Sequence, residues 1–528
     1  MKRIFDLEFG FSDAENYRRR ENKDLLNRVF IRNQHLDKLC EPAVSFLVGE
    51  KGTGKTAYAV YLSNNNYKGS FASIRYIRET EYQKFITLKR EKHLNLSDYA
   101  SIWKVIIYLL ISQQVQGREG GIEFLKRFTK LGTVQRAIDE YYNKAFSPEI
   151  IQALQFVQES KLAAELMAKH AKVAGEEKEV LTFSESRFQM NLFYIQRAFE
   201  SALSQARLAS NHILFIDGID IRPASIPYSE YLECIKGLAN AVWEVNNDFF
   251  PAIKGGGGRL RVVLLVRPDI FETLGLQNQN TKIRDNSVFL DWRTEYINHR
   301  KSDLFHVIDH LIASQQDKKL VSGQAWDHYF PWDAPNVMDK YNTPTSFIGF
   351  LRWSYYRPRD VITMLAILQD LARDAGNNAD HFTYEDFDAA NFKRRYSDYL
   401  LGEIKDHLTF YYSSHEYELF LKFFEFLNGK NRFSHSEYMT AFANFRKAIG
   451  LKDSDSPRFM SSPGVFLQFL YDLNVICYVE KPADDKPYVR WCFRERSYAN
   501  ISPKVKEKVN YQVFYGLSKA LNVGQEFN

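Results

Sequence analysis

The chain has 528 residues, 41 Phe, 31 Tyr and a net charge of +5. This length implies about two to four domains rather than one core, and the aromatic content excludes bulk disorder. The small positive charge permits contact with nucleic acid without requiring it, and Cys40, Cys234, Cys477 and Cys492, far apart and without C-x-x-C spacing, argue against a zinc cluster or a disulfide framework.

A reducing cytoplasm is the expected compartment. Residues 1–20 carry Asp6, Glu8, Asp13 and Glu15 and no long apolar core, which argues against a signal peptide. No stretch reaches the ~20 apolar residues of a membrane span. Residues 1–40 are polar, with Arg18, Arg19, Arg20, Lys23, Arg28 and Arg32 among acids, and read as a solvated helical face. Residues 43–48 form an apolar run that reads as a buried strand. Gly49-Glu50-Lys51-Gly52-Thr53-Gly54-Lys55-Thr56 follows and matches the phosphate-binding pattern G-x-x-x-x-G-K-[ST]. Glycines let backbone approach phosphate oxygens, the lysine reaches the outer phosphates and the threonine hydroxyl suits Mg²⁺. Gly49, Gly52, Thr53, Gly54, Lys55 and Thr56 are therefore the candidate nucleotide-binding residues. The run 56–62 lacks Gly and Pro, as the following helix requires.

A second strand is expected over 71–77. From about 97 to 205 hydrophobics recur at helical spacing, as in Trp103, Ile106, Ile107, Leu110 and Ile111, with a charged stretch, 171–179, that reads as a hinge. Two apolar strands follow at 212–216 and 261–266, the second preceded by Gly255-Gly256-Gly257-Gly258. Continuous apolar runs alternating with helices imply a doubly wound parallel sheet, an α/β core. Beyond 300 the pattern is helical, notably over 303–314 and 358–374. The last third offers helices at 416–427, 436–448 and 465–473, then strands at 475–480 and 488–493 joined by a turn through 482–487, which is the order of a winged helix. No internal repeat of 20 to 50 residues is evident.

Asp217 ends the strand Ile213-Leu214-Phe215-Ile216, which is the carboxylate a Mg²⁺ site opposite the phosphate loop needs. No Glu follows it. Asp220 is the nearby acid able to orient or deprotonate water, or else it simply forms a turn. Asp217-Gly218-Ile219-Asp220 resembles the Walker B run of the STAND class of NTPases. Val266-Arg267-Pro268 is similar to that class's γ-phosphate sensor, and Arg357-Pro358-Arg359-Asp360 resembles the second sensor of origin-recognition-type AAA+ ATPases. In that resemblance Arg267 and Arg359 read the γ-phosphate, with Arg357 able to exchange roles with Arg359. Together with Phe9-Gly10-Phe11-Ser12-Asp13-Ala14-Glu15, these motifs make the chain resemble a bacterial FunZ-type P-loop ATPase over its length. Such proteins are associated with mobile elements and, by inference, with defence against phage.

The expected organisation is an N-terminal helical segment (1–40), an ATPase core (41–300) carrying the insertion at about 97–205, a helical lid (301–400) and a winged-helix-like domain (401–528). The insertion is either a partner surface or a stabilising elaboration. The long repeat array of STAND receptors has no counterpart here. Asn22-Lys23-Asp24-Leu25 and Asn143-Lys144-Ala145-Phe146 miss the final Asp of a guanine-specific run, so ATP, with Mg²⁺, is the expected nucleotide.

Catalysis is assigned to Lys55, Asp217, Asp220, Arg267 and Arg359, and the metal to Thr56 and Asp217. The expected function is a slowly hydrolysing ATPase that switches a protein partner or effector, with a homo-oligomer allowed. The alternative is a DNA-binding ATPase of initiator type. The candidate reading helix, 461–474, offers Gln468 and Asn474 but no Lys or Arg, and the turn mixes Lys481 and Lys486 with Asp484 and Asp485, which favours packing over groove reading. Lys393-Arg394-Arg395 and Lys504, Lys506 and Lys508 can meet phosphate but read as solvated faces. His306 and His310 have helical spacing but lack a third metal ligand.

Overall fold

The computed structural model describes residues 1–77, 96–119, 185–223, 226–337, 341–376, 379–450, 456–480 and 488–524. Most of the expected helical insertion, the hinge at 171–179, the run at Asn143 and the turn holding Lys481, Asp484, Asp485 and Lys486 lie outside the described residues. The chain forms two compact units, residues 32–49 with 55–289, and residues 1–31 with 50–54 and 290–528.

The first unit is α/β. Its five-stranded sheet has the order β2-β3-β4-β1-β5, from β1 (Phe46–Val48), β2 (Ser70–Tyr76), β3 (Asn211–Asp217), β4 (Leu260–Val266) and β5 (Ser287–Phe289). Every neighbouring pair is parallel. The cause is in the residues: β4 is buried along its whole length and β3 at all but its first position. A strand apolar on both faces needs a covered, central place. The expected strands at 71–77, 212–216 and 261–266 correspond to β2, β3 and β4, while β5 is an addition. Because the strands are parallel, the ends of β1, β3 and β4 share one edge of the sheet, with Val48 level with Val266 and Ile216 level with Leu264.

Helix α1 (Lys55–Asn64) leaves that edge, and α2 (Leu96–Glu119) packs against α3 (Glu185–Ser204) and α4 (Tyr228–Glu244). Ile102, Trp103 and Val105 to Ile111 of α2 are all buried, as befits a helix apolar on every side. Trp103 Nε1 donates to the Cys234 carbonyl at 3.1 Å. The close approach depends on Gly237 of α4, where an added Cβ would lie 2.5 Å from Tyr99 Cβ.

The second unit is built on aromatic packing. It contains helices α5 (Asp303–Ala313), α6 (Ser346–Trp353), α7 (Pro358–Asp374) and α8 (Ala390–Leu408), and Trp326 stacks on Phe330 and meets Phe305 of α5 and Phe347 and Phe350 of α6 edge-on. Farther along come α9 (Ser414–Lys422), α10 (His435–Ile449) and α11 (Pro463–Asp472), with a four-stranded sheet in the order β6-β9-β7-β8. Its strands are β6 (Arg432–Ser434), β7 (Ile476–Glu480), β8 (Tyr488–Arg490) and β9 (Asn510–Val513), all antiparallel. The strand expected over 488–493 stops at Arg490. Cys492–Glu495 turn helical instead, with the Phe493 amide donating to Asn474 Oδ1 at 2.8 Å. The N-terminal residues are less solvated than their charge suggests. Their named basic side chains stay exposed or half-buried, but Ile4, Leu7, Phe9, Tyr17, Leu26 and Val29 are buried.

Candidate functional site

In the first unit, β1 delivers Gly49, whose amide donates to the Val266 carbonyl at 3.2 Å. Lys55 opens α1, is buried and donates from Nζ to the Gly49 carbonyl at 2.8 Å. Thr56 Oγ1 donates to Asp217 Oδ2 at 2.6 Å. β1 and β3 are separated by β4, about two strand spacings or ~10 Å, and a residue in the first turn of α1 closes that gap. The other oxygen of Asp217 accepts the Gly218 amide at 2.8 Å. Gly218 is required: its φ is +89°, and a Cβ there would meet the Ile77 carbonyl oxygen at 2.7 Å. Burial pushes the Asp217 carboxyl up to about 6; the nearby Asp220 charge adds to this, while Thr56, Lys55 and the Gly218 amide oppose it. Lys55, Thr56 and Asp217 are thus gathered, with Asp220 near enough to be felt.

Arg267 follows β4 at the same sheet edge. It is only 1% exposed, and its fork grips Asp269 through Nε at 3.1 Å and Nη2 at 2.9 Å. It is neither a surface ion pair nor an outstretched finger.

Residues 50–54 group with the second unit, which holds them by their carbonyls. Arg357 Nη1 donates to the Lys51 carbonyl at 2.8 Å, the Arg359 amide to that of Gly52 at 3.3 Å, and Trp292 Nε1 to that of Thr53 at 3.0 Å. These peptides are trans, so fixing a carbonyl on one side turns the next residue's N–H to the other. The amides of Gly52 and Gly54 are thereby aimed opposite to the clamp, the arrangement an anion cradle needs. Gly52 and Gly54 have φ of +86° and +96°, where a side chain is strained.

Arg357 is buried and forked onto Asp360, with contacts of 2.6 to 3.1 Å. Arg359 is half-buried, donating to the Ser12 carbonyl at 3.0 Å and to Glu403 at 3.4 Å. Arg359 is therefore the arginine of the pair with a replaceable partner, and Arg357 the one that braces the loop. Trp292, Asp360, Glu403 and Arg496, which pairs with Glu50, were not singled out in sequence. Asp360 closes the Arg357-Pro358-Arg359-Asp360 run; Trp292, Glu403 and Arg496 carry no local signal.

The polar residues expected at the end of the chain turn inward. Gln468 Nε2 donates to Asp472 and the Pro503 carbonyl, and its Oε1 accepts the Val505 amide. Asn474 caps the turn at Phe493. Lys393, Arg394 and Arg395 pair with Asp388, Asp398 and Asp374, and Lys506 pairs with Glu480. His306 meets Ser322 and His310 meets the Arg28 carbonyl. No helix among the described residues is long and apolar enough to cross a membrane. No family model, curated protein or solved structure matches the chain.

Proposed function

We propose that the chain is a Mg²⁺-dependent ATPase that binds ATP, hydrolyses it slowly and acts as a molecular switch on a protein partner. The observation that carries this reading is the 2.6 Å contact between Thr56 Oγ1 and the Asp217 carboxylate at the foot of the 49–56 loop. A hydroxyl and a carboxylate from distant positions meet beside a buried lysine, at the carboxyl edge of a parallel sheet, where open α/β sheets bind ligands. These two hard oxygen donors suit Mg²⁺, which takes few protein oxygens and completes its shell with water and phosphate. When bound, the ion would offset charge on the phosphates.

In this reading Gly52, Thr53 and Gly54 present main chain to phosphate, Gly49, its amide held by the Val266 carbonyl, sets where the loop begins, and Lys55 exchanges the Gly49 carbonyl for the outer phosphate oxygens. Thr56 and Asp217 hold the metal. Asp220 orients water, and the lack of a Glu next to Asp217 makes turnover slow. Arg359 and Arg267 report the γ-phosphate by exchanging Glu403 and Asp269 for it. The helical region 301–400 serves as the lid, and α9 to α11 with β7 and β8 as the winged-helix-like element. The motif resemblance to FunZ-type ATPases is what supports a role on mobile elements or in defence against phage. The inward bonds of Gln468 and Asn474 favour a protein partner over the DNA-initiator alternative, because neither side chain is offered to a groove.

Calorimetric titration of the full chain with Mg²⁺ and a non-hydrolysable ATP analogue tests the reading. Lys55→Ala is expected to weaken binding by about 10- to 100-fold, the worth of one charge-assisted contact. Asp220→Ala should bind normally and turn over more slowly. Equal binding and equal turnover in all three proteins would remove the proposal.

A further inference from the structure

We propose that Arg496 and Glu403 are positioning residues of the phosphate loop, acting through the side chains of Glu50 and Lys51. The inference rests on the nucleotide reading of that loop and adds residues that no motif contains. Glu50 and Lys51 occupy variable positions of the pattern, carry opposite charges, and are both spent on ion pairs within the second unit. Arg496 pairs with Glu50, their side chains being 6% and 22% exposed. Its Nε donates to the Ile501 carbonyl at 3.0 Å and its amide to the Cys492 carbonyl at 2.9 Å, so the guanidinium is fixed from behind. Lys51 Nζ lies 3.3 Å from Glu403 and 2.7 Å from Asp406, both on α8. Glu403 also accepts from Arg359. Burial alone would raise the Glu403 carboxyl, but Arg357, Lys51 and Arg359 outweigh it and hold the group below its ordinary range.

The direction of the effect follows from the backbone. Arg357, the Arg359 amide and Trp292 hold the carbonyls of residues 51 to 53, and the two ion pairs hold the side chains at the start of that run. A loop fixed on its carbonyl side meets phosphate with its glycine amides already turned, so little ordering remains to be done on binding. A partly buried pair stripped of one member leaves the other charge poorly compensated, and the loop is then free to relax around it. Loss of Arg496 should therefore weaken nucleotide binding. An inhibitory latch would do the opposite.

The test is calorimetric titration of the full chain with Mg²⁺ and a non-hydrolysable ATP analogue, for wild type, Arg496→Ala, Glu50→Gln, the double variant and Lys55→Ala. Arg496→Ala and Glu50→Gln are each expected to bind about 3- to 10-fold more weakly, and the double variant no more weakly than either single one, since both remove one coupling. Reciprocity adds a readout that a merely structural role would not move: the analogue should slow hydrogen exchange over residues 491–501 in wild type and not in Glu50→Gln. Glu50→Gln keeps the shape of the loop side chain and carries the test alone where Arg496→Ala does not fold. Wild-type or tighter affinity in Arg496→Ala, or in Glu50→Gln where that variant carries the test, overturns the inference. Absence of analogue binding in wild type and Lys55→Ala alike instead overturns the nucleotide reading beneath it.

Discussion

Asp360 shows how one residue can hold a motif in shape. It is fully buried, receives the Arg357 fork, the Tyr355 amide at 2.9 Å and the Tyr399 hydroxyl at 3.2 Å. Replacing it with Asn leaves a buried guanidinium without its counter-ion, a change that costs about 3–5 kcal/mol when a buried pair is broken. Asp360→Asn should therefore lower the urea midpoint of the full chain strongly, and an unchanged midpoint would show that Arg357 finds another partner. His299 offers a titration. It is 1% exposed, its Nδ1–H donates to the Tyr296 carbonyl at 2.7 Å, and its Nε2 is buried without a partner among the described residues. Burial lowers its pKa, because a second proton would have nothing to bond. The folded pKa lies below the unfolded one of about 6.5, so its contribution is intact above that pH and is lost as pH falls toward the folded value. The thermal midpoint should decline on acidification from about pH 6.5, and His299→Gln should flatten that decline relative to wild type.

At the scale of elements, what could be read from sequence followed the length of the signal. β3 and β4 are continuous apolar runs, and α7 begins where an Arg-Pro step predicts a helix start, with the proline in its first turn. β5, β6 and β9 span only three or four residues and are strands because a distant neighbour pairs with them, as when Asn510–Val513 lies between β6 and β7. Period alone cannot reveal such pairing. The contact of α2 with α4 sets two effects against each other. Gly237→Ala would gain ~1 kcal/mol of helix propensity. The new methyl, however, meets Tyr99 Cβ at 2.5 Å and its carbonyl carbon at 3.1 Å, and overpacking of a rigid contact costs about 1–3 kcal/mol. The clash should win, so Gly237→Ala is expected to melt below wild type; a higher melting temperature would mean that the helices part at little cost.

Across the whole molecule, the candidate site was legible where its chemistry is contiguous or ends a strand, as in Gly49 to Thr56 and Asp217. It was not legible where a single side chain arrives from far along the chain. Trp292 reaches Thr53 across 239 positions and Arg496 reaches Glu50 across 446, and neither carries a local pattern. The gathered residues predict a thermodynamic property of the entire chain. A ligand that binds only the folded protein adds RT ln(1 + [L]/Kd) to its stability, about 2.7 kcal/mol at a hundredfold excess over Kd. The thermal midpoint should therefore climb with the logarithm of ATP analogue concentration when Mg²⁺ is present. Lys55→Ala should move that curve to higher concentration without changing its limiting slope, since well above Kd the slope is set by the number of ligands bound and not by Kd. A midpoint indifferent to the analogue in wild type would mean that the loop, though shaped to receive phosphate, does not hold it.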